Sequence, residues 1–295
     1  MTEPGRNSIL FCIFHERGTN VLPGKRIIGM QLISEPFLNI YRQKYLLKEF
    51  IGREVHGRFA GSFAGALWAV LTPLATIAAY YFVFSLVLRI PVSAEENGTD
   101  HFAVFFLSGF FPWVMFAEGL SRSIGSIVGN AQLVTKVVFS VEILPVSAVT
   151  ANFFLQGTGY ALFLLYIGMT GCFSIQWIFL PLVMAALFFF TLGIAFFLSA
   201  ISVFIRDTGE IFGIVIMLWF FATPIIYPVS MLPEGFDFIL LINPMVDFIL
   251  VIKGILLFGR FYCIDLLKLI LYAVVSYSIG SYFFMRLKHA FADVL

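Results

Sequence analysis

The stretch YLLKEFIGREVHGRFAGSFAGALWAVLTPLATIAAYYFVFSLVL, Tyr45 to Leu88, decides how the whole chain is read. Leu47, Phe50/Ile51, Val55 and Arg58/Phe59 recur at helical spacing, while Lys48, Arg53, Glu54 and His56 fall on the other faces. Gly57, Gly61 and Gly65 stand where such a helix would turn. Ala66 to Leu88 is a run of 23 residues without a charge. As a helix it is roughly 34 Å long at ~1.5 Å per residue, enough to cross a ~30 Å hydrocarbon core. The pattern predicts an amphipathic helix in the headgroup layer that then bends into the bilayer. A signal anchor with basic flanks would explain this stretch alone, but not the apolar runs in the rest of the chain.

Of the 295 residues, 60% are hydrophobic and only 12% are charged, more apolar surface than a soluble domain of this length can hide. The chain reads as an all-α, polytopic membrane protein. Further apolar runs cover about Phe102–Leu120, Leu144–Met169, Ile178–Ile205, Ile211–Val229 and Leu266–Met285. Glu118 and Arg122, one turn apart, read as an intrahelical ion pair. Phe236–Phe258 is apolar but holds Asn243-Pro244, Asp247, Lys253 and Gly254. Proline removes a helical hydrogen bond and buried charge is expensive, so two short re-entrant helices broken at Asn243-Pro244 fit better than one span.

Charge sets the span count. With six spans and both termini cytoplasmic, fourteen of the 18 Lys and Arg lie inside, and only Arg89, Lys253, Arg260 and Lys268 lie outside. A seventh span would put Arg286 and Lys288 outside. The cytoplasmic elements are then the basic lead-in, the Arg122–Ile143 loop and the short Arg206–Glu210 turn. Leu133, Val134, Val137 and Val138 around Lys136 predict a small amphipathic helix suited to a partner, though a helix lying on the membrane surface has the same spacing. Met1–Gly29 lacks sustained periodicity and reads as a weakly ordered extension or as an upstream start before Met30. Cys12, Cys172 and Cys263 have neither paired nor metal-ligand spacing.

Several short motifs now fall into one order. Arg53-Glu54, Arg58-Phe59, Gly61-Ser62-Phe63-Ala64-Gly65, Leu67-Trp68 and Pro73 surround the first span. Lys136-Val137-Val138-Phe139 and Glu142-Ile143-Leu144-Pro145 precede the third. Arg206-Asp207, Pro224-Ile225-Ile226-Tyr227-Pro228, Leu232-Pro233 and Asn243-Pro244 mark the C-terminal half. Together they resemble the type-2 ABC exporter permeases that move O-antigen, capsular polysaccharide and teichoic acid. The resemblance covers roughly Phe50 to Lys288. It departs at Phe59, where a Tyr is usual, and at Ser140, where a Pro is usual.

The chain reads as a cytoplasmic extension over 1–40, whose part before Met30 exceeds what the family normally carries, an interface helix over 41–62 and a six-helix transmembrane domain over 63–295. The resemblance implies a homodimer in the cytoplasmic (inner) membrane, two separate ABC ATPase subunits that bind ATP and magnesium, and a polysaccharide or undecaprenyl-linked glycan as substrate. It implies no metal or cofactor in this chain and no nucleic acid. Asn130, Leu133, Lys136, Val137 and Phe139 would form the element that couples to the ATPase, and Asn243 and Pro244 the outer gate. Independently, the chain has no G-x-x-x-x-G-K-[ST], since Pro23-Gly24-Lys25-Arg26 lacks both the first Gly and the Ser/Thr. Energy must come from a partner.

Other readings remain open at this point. A related permease for a lipid or drug has the same architecture. A membrane-embedded glycosyl- or acyltransferase would need a cluster of acids, bases or ligands, whereas His15, His56, His101 and His289 are scattered. A passive channel would need no docking loop. For the substrate path, the chain offers 37 Phe, 11 Tyr and 4 Trp, most of which are ordinary lipid-facing or packing residues. Two mixed stripes stand out: Thr72, Thr76 and Tyr80 on the first span, and Phe212, Ile216, Trp219, Thr223 and Tyr227 on the fifth. The resemblance places both spans at the dimer interface. Thr72, Thr76, Tyr80, Trp219, Thr223 and Tyr227 are therefore expected to line a channel, with aromatic faces as a sliding surface for sugar rings.

Overall fold

The computed structural model describes residues 36, 38–88, 90, 93–137, 139–169, 173–232, 235 and 237–295. The expectations for Met1–Gly29, Cys12, Cys172, Arg89, Val138 and Pro233 lie outside the described residues. Among those described, every regular element is helical.

The lead-in forms α1, Lys44–Phe59. None of its residues is fully buried, but Leu47 and Phe50 pack on the core while Lys48, Glu49, Arg53 and His56 face outward. Gly61 and Gly65, at φ of 76° and 52°, make the turn after it, a backbone region that L side chains avoid. Helix α2, Trp68–Tyr81, is prolonged by a 3-10 turn before it and a π-helical turn after it, and together they span Gly65–Val87. Pro73 inside α2 cannot donate to the carbonyl of Ala69. The Thr158 hydroxyl stands 2.9 Å from that carbonyl and 2.7 Å from that of Leu155, so a neighbouring helix satisfies the bond that the proline removes.

After the short α3, Ala94–Asn97, comes α4, Phe102–Ile124, the centre of the molecule. Seventeen of its 23 residues are buried, whereas α2 buries only Pro73. Helices α5 (Ala131–Lys136), α6 (Ile143–Met169) and α7 (Leu180–Phe204) come next. Then come α8 (Thr208–Phe221), α9 (Asp237–Ile242), α10 (Pro244–Leu257), α11 (Cys263–Leu287) and α12 (Phe291–Val294). Helices α2, α6, α7, α8 and α10 surround α4, and α11 lies along α7. That last crossing is closest at Gly193 and Gly280, where a Cβ on either residue would overlap the facing backbone.

Five helical stretches are long and apolar enough to cross a membrane: Gly65–Val87, Ala94–Ile124, Ile143–Met169, Ile175–Phe204 and Cys263–Val294. The expected fifth span, Ile211–Val229, is shorter than the sequence suggests. Helix α8 ends at Phe221 after 14 residues, roughly 21 Å of rise, because Pro224 and Pro228 stop it. The apolar segment beyond it does break at Asn243-Pro244, into α9 and α10.

Candidate functional site

Two polar assemblies stand out in this apolar molecule. The first ties the end of α8 to the start of α10. The Asn243 carbonyl oxygen accepts from the Met245 backbone N–H at 3.0 Å, which caps α10, and from the Trp219 indole N–H at 2.7 Å. Its amide donates to the Ala222 carbonyl at 3.2 Å and to the Thr223 hydroxyl oxygen at 2.9 Å. Thr223 in turn donates to the Trp219 carbonyl at 2.8 Å. Pro244 takes the first helical position, where a missing N–H does no harm.

Ten residues further on, Lys253 is 4% exposed. Its ammonium donates to the carbonyls of Pro224 at 2.9 Å and Ile225 at 3.1 Å, and lies 3.4 Å from the centroid of Phe105 on α4. Sequence reading made Lys253 an outer charge and a cost that favours a re-entrant pair over a span, but gave it no partner. The signal for more was one lysine inside an apolar helix.

Within the chain, the six residues expected to line a channel take different surroundings. Thr223 is buried, and Trp219 packs its ring against Phe116 and Trp113 at centroid distances of 5.2 and 6.3 Å. Tyr227 lies beyond the end of α8 and donates to the Phe221 carbonyl at 2.8 Å. On α2, Thr72 is exposed and Thr76 donates to the Thr72 carbonyl at 2.9 Å. The Tyr80 ring joins Phe84, Phe106 and Phe110 at 5.7, 4.7 and 5.2 Å, fastening α2 to α4.

The second assembly is at the other end, around α1 and α5. Arg53 donates to the Asn130 side-chain oxygen at 2.8 Å, and the Asn130 amide donates to the Ser126 carbonyl at 2.8 Å. Phe50 stacks on Phe139, with centroids 6.0 Å apart and planes 8° from parallel. The Ser140 N–H donates to the Gln43 side-chain oxygen at 3.4 Å. The expected coupling residues Asn130 and Phe139 thus hold α5 to α1, while Lys136 and Val137 are exposed and Leu133 is half-buried. Open hollows of about 610 and 320 Å³ border α1 at Lys48–Phe50, Gly52, Arg53 and His56, and the α5 approach at Val128–Leu133.

Between the two assemblies lies a half-buried polar cluster. Arg58 donates to the Asn152 side-chain oxygen at 2.7 Å and pairs with Glu118 at 3.8 Å, while Gln156 donates to Glu118 at 2.8 Å. Glu118 therefore pairs across helices with Arg58, not along its own helix with Arg122 as its spacing suggested. The rotation of α4 against α1 decides this, and no i, i+4 rule contains it. Burial first, and then the Arg122 charge, lower the Arg58 pKa from its ordinary value, and Glu118 opposes them. Among the described residues no group of three or more His, Cys, Asp or Glu could hold a metal ion.

The chain belongs to the ABC-2 type transporter family, whose pattern it matches over residues 45–257. It is 31% identical over 258 residues to the O-antigen export system permease protein RfbA of Klebsiella pneumoniae, covering 85% of this chain and 95% of that one. It is 31% identical over 215 residues to the RfbA protein of the same name from Myxococcus xanthus, at 70% and 78% coverage. The polysialic acid transport protein KpsM of Escherichia coli is 25% identical over 211 residues, at 69% and 78%.

Proposed function

We propose that the chain is the membrane-spanning subunit of an ATP-driven exporter of a lipid-linked cell-surface polysaccharide such as an O-antigen. The relatives' names support the substrate class, and a permease for a lipid or drug is the competing reading. The protein works as a dimer across the cytoplasmic membrane, with two ATPase subunits beneath it that bind ATP and magnesium. It has six spans and cytoplasmic termini, with α8 as the short fifth span and α9–α10 as the re-entrant pair. The sparse burial of α2 and α8 supports their place at the dimer interface: one helix buries only Pro73, the other only Thr208 and Phe212.

The carrying observation is α5, a small helix uncovered on one side at Lys136 and Val137 and braced from behind through Arg53–Asn130 and Phe50–Phe139. A helix that has to take a push without yielding needs this combination. A few apolar side chains would carry the contact with the ATPase. Val137→Asp in cells that carry the ATPase subunit should abolish export while the permease stays in the membrane. Export at the normal rate would move the coupling element to the Arg206–Glu210 turn. Export of a glycolipid but not of a polymer would favour the lipid permease.

A further inference from the structure

Glu142 closes the α5 loop immediately before α6, and its side chain is 1% exposed. One oxygen accepts from the Lys288 ammonium at 3.1 Å and from the Asn39 amide at 3.1 Å. Three segments far apart in sequence thus meet on one carboxylate: the approach to α1, the exit of the α5 loop and the end of α11. Lys288 is the first residue beyond α11, and α12 then turns back and packs against α5 and α7. Phe291 anchors that return. It is fully buried, with ring contacts to Phe284 at 5.5 Å and Phe204 at 6.1 Å.

A buried carboxylate is tolerated only when it is paired and hydrogen-bonded, and removing its partner leaves an uncompensated charge. The second Glu142 oxygen is buried without a partner among the described residues, so compensation there comes from Lys288 and Asn39. Helix α5 is therefore held on two sides. One hold runs to α1 through Asn130 and Phe139, and the other to the end of α11 through Glu142 and α12.

We propose that Lys288 and Glu142 are positioning residues that latch the C-terminal segment to the coupling loop, so that a push on α5 is passed to α11 as well as to α1. The proposal rests on the reading of α5 as the ATPase contact. It makes residues 288–295 a working part of the surface that answers the ATPase, rather than a trailing tail.

Hydrogen exchange on the purified full-length permease tests the latch without the ATPase. In Lys288→Met, amides over residues 131–142 should exchange at least tenfold faster than wild type, and Lys288→Arg, which keeps the charge, should restore protection. Glu142→Gln keeps an acceptor oxygen for both donors and removes the buried charge, so it should speed exchange less than Lys288→Met does. In membranes that hold the ATPase as well, Lys288→Met should raise ATP hydrolysed per glycan exported several-fold, with the ATPase still co-purifying. Unchanged exchange in Lys288→Met would overturn the latch. Faster exchange with an unchanged ATP-to-glycan ratio would overturn its role in coupling. An ATPase that fails to co-purify even with the wild-type chain would sink the docking reading alone, because the exchange result stands without it.

Discussion

Lys253 on α10 holds the backbone carbonyl of Pro224, just past the end of α8, at 2.9 Å. The Ile225 carbonyl at 3.1 Å and the face of Phe105 complete its surroundings. Burying an ammonium group is expensive, and this one is retained because donors and acceptors match. Lys253→Met keeps the volume but strands both carbonyls, at ~1–3 kcal/mol for each buried acceptor left without a donor. The variant should unfold at lower temperature in detergent and export poorly. Melting at the wild-type temperature would show that the carbonyls find water instead.

Asn243 predicts a pair of effects. Asn243→Ala loses the cap of α10, at about 1 kcal/mol. It also leaves the Trp219 indole N–H unpaired, for a further ~1–3 kcal/mol. Asn243→Asp keeps both acceptor contacts but sets a buried carboxylate oxygen against the Ala222 carbonyl, so it should lose stability as well while keeping the indole bond. Trp219 emission, read with Trp68, Trp113 and Trp177 replaced by Phe, should shift in the Ala variant and hardly in the Asp variant. Equal shifts would mean that the indole bond is not made.

The α7–α11 crossing predicts intolerance to a single methyl group. Gly280→Ala would drive a Cβ into the Gly193 carbonyl, and overpacking of this kind costs about 1–3 kcal/mol or more. Gly168→Ala, which meets nothing within 4 Å, is the control and should be neutral. Thermal unfolding of the two variants in detergent should differ clearly. Equal melting points would mean that the helices part to admit the methyl group.

The proposed lining can be separated from packing. Trp219→Ala and Tyr80→Ala disturb ring clusters and Asn243, so lost export in these variants would not distinguish lining from folding. Thr72→Val and Thr76→Val remove hydroxyls on α2, where the Thr76 hydroxyl bonds within its own helix. The double variant should melt normally yet export more slowly. Normal export would return the stripe to lipid contact.

Topology is open to cysteine labelling in a cysteine-free background. Gly98, in the connection between α3 and α4 that the six-span proposal puts outside, is a poor site: its φ is 71°, and a Cβ there would lie 2.8 Å from the Leu257 carbonyl. Exposed Glu95 is better. Glu95→Cys should label from outside intact cells and Ala292→Cys should not. Labelling at residue 292 would sink the six-span proposal.

Features under local physical control are legible in the order of the residues. Uncharged runs set the long helices, glycines set the turn between α1 and α2, and Asn243-Pro244 set the break into α9 and α10. Each depends on a few neighbouring residues, and each could be read directly. The shortening of α8 was also written in Pro224 and Pro228, but the apolar run continuing to Val229 concealed it.

Which polar groups meet depends on the packing of the helices and could not be read from residue order. Glu118 faces Arg58, Lys253 reaches the end of α8, Trp219 turns inward to Asn243, and Glu142 joins Lys288 across 146 residues. Each pairing depends on how far one helix is rotated and slid against another. Close approaches such as Gly193 on Gly280 and Pro73 on Gly159 fix those rotations. Helical periodicity says which residues share a face, but not which face of a neighbour they meet, because side-chain packing across the whole molecule sets that choice.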